Sequence, residues 1–201
     1  MLWNRSLVIR DLETGSLWSH ILGRCMAGEL EGMELPFVPG TVVTWKDWYA
    51  EHPETTVLKM SRTASEYQRF ALSDSGRYVF GVKVGQEVKA YTYRYLAENP
   101  IVHDEIAETP VLIAFDAESG RAFMFDRSWN GEVLSFGDSY DADGSLVALG
   151  TGEHWNPWSG ELISVSKAGH SMGPLYGIIS YRQAWEVFYP GTEIVGLETE
   201  Q

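Results

Sequence analysis

One pattern occurs twice in the chain, at an offset of 137 residues. When the sequence is compared with itself at this offset without gaps, nine positions are identical within about 44 columns. The first members of the identical pairs are Thr14, Gly15, Trp18, Gly23, Gly32, Gly40, Trp48, Pro53 and Thr55. Glycine supplies positive φ or close approach and proline fixes a turn, so these identities constrain backbone geometry. The pattern predicts one supersecondary unit in two superposable copies, residues 14–57 and 151–194.

The copies are unequal, because residues 78–139 have no counterpart in the chain. We therefore interpret residues 1–62 as a first, partial repeat unit and residues 63–201 as a second, fuller one, packed together as a single domain. A first unit that lacks its front half leaves a sheet edge or an apolar face uncovered. This predicts a homodimer with Leu7, Val8 and Ile9 near the shared surface.

Both copies end on a short predicted helix followed by a proline, at residues 44–53 and 181–190. Trp45, Trp48 and Tyr49 share one face of the first helix, and Trp48 and Trp185 are expected in equivalent buried positions. A further short helix is expected at residues 93–99. Strands are predicted at residues 56–60, 78–84, 87–93, 110–115, 122–126 and 132–136. The sequence predicts an α+β, mainly β fold: a barrel-like or two-sheet body with a few short helices and an internal duplication.

The composition excludes several classes of protein. Lys and Arg number 15 against 28 Asp and Glu, and a net charge of −13 disfavours nucleic acid and anionic membranes as partners. No apolar run reaches the length of a membrane span, and the first residues do not resemble a secretory signal. We expect a soluble protein whose compartment the sequence leaves open. A single cysteine, Cys25, excludes an intrachain disulfide.

Sequence motifs in the first copy and in the middle segment resemble those of the family called domain of unknown function 3179. They are the stretch from Asp11 to Ser19, then Trp45-x-x-Trp48-x-x-x-His52-Pro53-x-Thr55, and Phe125-Asp126-Arg127. Members of the family often carry Cys-Pro-x-Cys-Gly shortly before the Phe-Asp-Arg motif. Here Asp116 and Ser119 replace the two cysteines. The resemblance therefore implies a family without known function, and this chain lacks any thiol or soft-metal chemistry of that pair.

Metal ligation has three candidate sets, although the sequence requires no cofactor. Histidine, thiol and thioether groups that would suit copper occur at His20, Cys25, His170 and Met172. Asp116 and Ser119 offer oxygen ligands for calcium, magnesium or manganese, but a tight hairpin turn is the preferred interpretation. The run 138–143 carries three aspartates and resembles a calcium loop, yet it lacks the glutamate of that motif. We interpret this run as a polar turn.

Catalytic candidates are few. Cys25 could act as a nucleophile with His20 or His170 as base, although a lone cysteine is more often part of a core. His103 and Glu105 would share one face of a strand, which is a workable acid–base pair and equally an exposed strand edge.

Tryptophan is unusually frequent, with eight residues. The repeated tryptophans are most simply core anchors, so Trp158, Trp129 and Trp3 are the candidates for a binding surface for a small molecule or a carbohydrate. The leading hypothesis is a ligand-binding or structural domain with a cleft between the repeats. The alternative is a metal-dependent enzyme, using copper, zinc or iron, or a hydrolase based on the histidines and Cys25.

Overall fold

A computed structural model describes residues 2–4, 6–38, 40, 43–57, 76–163 and 169–197. The predicted boundary between the repeat units, at residues 62 and 63, lies outside the described residues, as does most of the strand expected at 56–60. The helices are α1 (Trp45–Glu51), α2 (Tyr93–Glu98) and α3 (Arg182–Phe188). The strands are β1 (Leu2–Trp3), β2 (Ser6–Arg10), β3 (Leu17–Ser19), β4 (Arg24–Ala27), β5 (Tyr78–Val84), β6 (Glu87–Thr92), β7 (Ile101–Ile106), β8 (Thr109–Phe115), β9 (Ala122–Asp126), β10 (Ser128–Trp129), β11 (Glu132–Val133), β12 (Leu146–Val147), β13 (His154–Trp155), β14 (Gly173–Pro174), β15 (Tyr176–Tyr181) and β16 (Glu193–Val195).

Three four-stranded sheets form the body, in the strand orders β1-β2-β3-β4, β14-β9-β8-β7 and β15-β5-β6-β16. The first sheet uses only the N-terminal residues. The other two are built from the middle segment and are completed by three strands from the C-terminal part of the chain, β14, β15 and β16. Their facing sides enclose a core that includes Tyr91, Leu96, Ile113 and Phe115. Burial of this apolar surface is what holds the two sheets together.

The fold prediction is confirmed: the chain is mainly β, with three short helices and more than one sheet. The strands expected at 78–84 and 122–126 match β5 and β9 exactly, and the strand expected at 132–136 is shortened to β11. Of the two predicted architectures, a barrel-like body and a two-sheet body, the structure fits the second, since none of the described sheets closes into a barrel. None of the described helices is long and apolar enough to cross a membrane.

The backbone geometry recurs at the 137-residue offset. Helices α1 and α3 have the same length at equivalent positions. The amide of Gly23 donates to Ser19 O at 3.0 Å, and the amide of Gly160 donates to Asn156 O at 2.9 Å. Gly23 and Gly160 both have positive φ, 64° and 71°, which a glycine tolerates without strain. The two copies therefore share their turn and their terminal helix.

Burial differs between the copies, and the expectation for Trp48 is wrong. Trp185 on α3 is fully buried against β5, whereas Trp48 on α1 is 41% exposed. The physical reason is the neighbouring sheet: β5 and β15 lie against α3, and no described strand lies against α1 in this way. Of the three residues expected near a dimer surface, Val8 is buried within the protomer, whereas Leu7 and Ile9 are exposed.

The indole N–H groups of the repeated Trp18 and Trp155 have different surroundings. Trp18 Nε1 donates to a carboxylate oxygen of Asp11 at 2.9 Å. Asp11 corresponds to Ala148 in the second copy, and the buried Trp155 Nε1 has no hydrogen-bond partner among the described residues. The indole of Trp18 thus donates to an aspartate for which the second copy has no equivalent.

Asp11 gives the first prediction, a pH dependence of stability. The hydrogen bond from Trp18, followed by those from Thr14, lowers the pKa of Asp11 from 3.8 to about 2. A carboxyl with a lowered folded-state pKa stabilises the protein above pH 3.8 and loses this effect as the pH falls towards 2. The melting temperature of Asp11→Asn should therefore lie below that of the wild type at pH 5, with the gap closing towards pH 2. A gap that is independent of pH would contradict this assignment.

Candidate functional site

The central cleft lies between the N-terminal sheet region and the sheet that carries β5 and β15. It has a volume of about 610 Å³. One wall is the turn at residues 20–23 together with residues 34–38 and 40, and the other is formed by the ends of β5 and β15. This volume lies in the range of small-molecule sites.

The turn is fixed in place by the core below it. Ile21 is buried in a cluster with Val79 and Trp185. Its carbonyl accepts hydrogen bonds from the hydroxyls of Tyr176 at 3.0 Å and Tyr189 at 3.2 Å. A backbone carbonyl held by two tyrosines positions the wall of the cleft firmly relative to the sheet.

Apolar side chains make up most of the lining. Phe37 packs on Tyr176 with ring centroids 4.9 Å apart, an aromatic contact across the cleft. The other apolar surfaces are contributed by Leu22, Leu35, Pro36, Val38 and Ile178. Leu35 and Phe37 are exposed although they are large and apolar, so this part of the surface can gain from covering by a ligand.

Three polar side chains line the same cleft: His20, Glu34 and Lys83. The Nδ1 of His20 lies 3.0 Å from the carbonyl oxygen of Leu7, and because a carbonyl can only accept, this nitrogen is the donor. Lys83 stands directly opposite Tyr176 in the β5–β15 pair. The cleft therefore combines apolar walls with a few polar groups, as ligand pockets usually do.

A second cavity, of about 650 Å³, lies between α1 and the turn at residues 116–121, and Trp158 lines it. The guanidinium of Arg121 lies over the Trp158 ring, 5.1 Å from its centroid. Asp116 accepts from the amide of Glu118 at 3.0 Å and from the amide and hydroxyl of Ser119. The carboxylate of Asp116 is thus engaged in the turn that the sequence favours at this position.

The residues proposed for soft-metal binding lie in different surroundings. His20 lines the central cleft. Cys25 is buried, and its thiol donates to the carbonyl of Ala27 at 3.4 Å. Met172 is buried in the core around Trp155. His170 is exposed and meets Trp129 edge to face at 5.8 Å.

One cluster of three metal-ligating side chains occurs within the described ranges, formed by Asp141, Asp143 and His154. The sequence analysis singled out the two aspartates but not the histidine, which comes from β13. The hydroxyl of Ser145 lies 2.7 Å from His154 Nδ1, and the Ser145 amide donates to Asp143. These bonds make the cluster part of a hydrogen-bonded polar turn.

His103 and Glu105 lie on the same exposed side of β7, as the alternation of a strand requires. The Nε2 of His103 accepts from the backbone amide of Phe136 at 3.0 Å. Burial lowers the pKa of His103, and Arg127 lowers it further. The ring is held neutral, and its unprotonated nitrogen already has a donor.

The opposite side of β7 carries an ion pair that the sequence analysis missed. Asp104 accepts from Lys89 at 2.7 Å and from the hydroxyl of Tyr91. Burial alone would raise the pKa of Asp104, but the hydrogen bonds from Lys89 and Tyr91 outweigh it and lower the pKa. Residues from β6 and β7 meet here, and only the packing of the two sheets brings them together.

The two remaining tryptophan candidates, Trp129 and Trp3, lie away from the central cleft. Trp129 packs edge to face on Trp155 at 5.5 Å and is partly buried. Trp3 is exposed and packs edge to face on Phe188 at 5.7 Å.

A family model described as "Protein of unknown function (DUF3179)" matches the chain twice, over residues 1–73 and over residues 65–201. Comparison with curated proteins and with solved structures finds no match.

Proposed function

We propose, for a chain that belongs to the DUF3179 family of proteins of unknown function, that the central cleft is a small-molecule binding site. The observation that carries the proposal is the combination of a 610 Å³ volume with an exposed apolar lining at Leu35 and Phe37. Large apolar side chains left in contact with water make ligand burial favourable, by about 25 cal/mol for each Å² covered.

The repeat interpretation supports the same proposal, since it expects a ligand to bind between the two units. The two matches of one family model and the recurring backbone hydrogen bonds support a division into two repeat units. In our interpretation, the turn at 20–23 belongs to the first unit, and β5 and β15 belong to the second. A cleft between two units can vary its lining without disturbing either core, which suits a binding role.

A variant that fills the cleft tests the proposal. Leu35→Trp places a large ring at the exposed wall, where it should block ligands without disturbing a core. Leu149→Trp is the matched control, because Leu149 is similarly exposed and does not line the cleft. Screening a library of small organic fragments by ligand-observed NMR should detect binders of the wild type and of Leu149→Trp.

Those fragments should lose most of their signal with Leu35→Trp, by about tenfold or more at fixed concentration. Equal signals with Leu35→Trp and with the wild type would place the binding elsewhere and refute the proposal. Melting temperatures of the three proteins, measured in parallel, establish that the variants are folded.

The alternative, a metal-dependent enzyme, differs from the binding function in the metal content that it predicts. It requires stoichiometric copper, zinc or iron in protein purified without a chelator, and elemental analysis measures this directly. A metal-free protein that still binds fragments in the cleft would favour the binding function over the enzyme.

A further inference from the structure

We propose that the ligand of the central cleft is an amphipathic monocarboxylate, such as a medium-chain fatty acid, whose carboxylate binds Lys83. The proposal rests on the binding function proposed for the cleft. It adds the chemical class of the ligand and the residue that recognises it.

The position of Lys83 on β5 is the first step. Alternate residues of this strand, Val79 and Gly81, face α3 and the core around Trp185. Lys83 continues this side of the strand beyond the helix, beside its cross-strand partner Tyr176. The lysine therefore lies where the sheet leaves the cover of α3 and enters the cleft.

The charge of Lys83 is the second step. Lys83 is partly buried and forms no ion pair with any described residue. Lys89, on the neighbouring strand β6, binds Asp104 at 2.7 Å and Glu193 at 3.2 Å. Although the chain has 28 acidic side chains, only Lys89 of these two lysines forms ion pairs with described residues, whereas Lys83 faces the cleft. A partly buried cation is stabilised by an anion with which it can form charge-assisted hydrogen bonds.

The apolar lining is the third step, because it selects the rest of the ligand. Phe37, Leu22 and Ile178 line the same cavity as Lys83. An inorganic anion would leave these side chains uncovered, whereas an acid with a hydrocarbon chain covers them while its carboxylate lies at Lys83. One charged end and one apolar body match the two kinds of surface.

The other ionisable groups of the cleft also affect how tightly an anionic ligand binds. Glu34 carries a negative charge that opposes an anionic ligand, and His20 is a second nitrogen group at the wall. We therefore expect Glu34→Gln to bind the acid more tightly than the wild type at pH 7. Added salt should weaken binding of the acid, because it screens the attraction between the carboxylate and Lys83.

The experiment compares octanoate with the neutral 1-octanol, using saturation-transfer NMR titrations at pH 7. Lys83→Gln should weaken octanoate binding by about tenfold and leave 1-octanol binding unchanged, while Lys83→Arg should retain most of the affinity for octanoate. Lys46→Gln is the matched control, since it removes the same charge from an exposed helix position outside the cleft. It should bind both ligands as the wild type does.

The outcomes separate this inference from the binding function beneath it. If 1-octanol binds and octanoate does not, or if Lys83→Gln leaves octanoate binding unchanged, the carboxylate assignment is wrong and the apolar cleft stands. If neither ligand binds the wild type, and the fragment screen finds no binder that Leu35→Trp blocks, the binding function itself fails together with this inference.

Discussion

Replacing Trp185 with alanine is expected to destabilise the protein by about 3–5 kcal/mol, the usual cost of removing a buried tryptophan. The ring is fully buried among Ile21, Val79 and Ala90, and it packs on Tyr189 with centroids 4.4 Å apart. Its loss leaves a cavity in the core that joins α3, the sheet and the turn at the cleft. A loss of this size is a large share of the stability of an ordinary domain.

The equivalent change in the first copy is the natural control. Trp48→Ala removes the same ring from α1, but 41% of Trp48 is already exposed, and we expect a cost of about 1 kcal/mol or less. Urea unfolding of both variants measures the difference directly. Equal costs would show that the two helices are covered to the same extent, and would contradict the unequal burial described above.

The second large effect is expected at Gly81, which lies beneath the Trp185 ring. A Cβ added at this position would overlap the ring atoms of Trp185, and the strand cannot move away without breaking its pairing with β6 and β15. Gly81→Ala should therefore cost about 1–3 kcal/mol or more through overpacking. Gly173→Ala is the control, because an added Cβ there has no heavy atom within 4 Å.

The double variant shows whether the overlap is the cause. With Trp185 already changed to alanine, the added methyl group of Gly81→Ala meets free space, and its cost should largely disappear. Residues in contact show such coupling, with interaction free energies of about 0.5–3 kcal/mol. Additive costs in the double variant would mean that Gly81 is needed for another reason, such as the backbone of β5.

Local patterns were sufficient to predict much of the fold. The two short helices, each followed by a proline, and the strands β5 and β9 follow from periodicity and turn residues, which depend on neighbours in sequence. The unequal burial of Trp48 and Trp185 could not be predicted in this way. It depends on which sheet lies beside each helix, and that is set by pairing between distant segments such as β5 and β15.

From the sequence we expected a ligand cleft between the repeats, without any of the residues that would line it. Its lining could not be derived from the sequence, because Lys83 and Tyr176 become neighbours through a cross-strand pair between distant segments. The sequence does show that Asp11 corresponds to Ala148 in the second copy. The hydrogen bond from Trp18 to Asp11 is seen only in the structure, so the indole of Trp155, which has no partner among the described residues, could not be predicted from this difference alone.

We propose that a small molecule binds between the turn at residues 20–23 and the ends of β5 and β15. The most direct measurement is methyl NMR of the protein labelled at leucine and isoleucine, titrated with octanoate or with a binder from the fragment screen. We expect shifts concentrated at Leu22, Leu35 and Ile178, which line the cleft, and little change at the buried Leu146 and Leu162. Shifts that leave the cleft methyls unchanged and cluster elsewhere would contradict it.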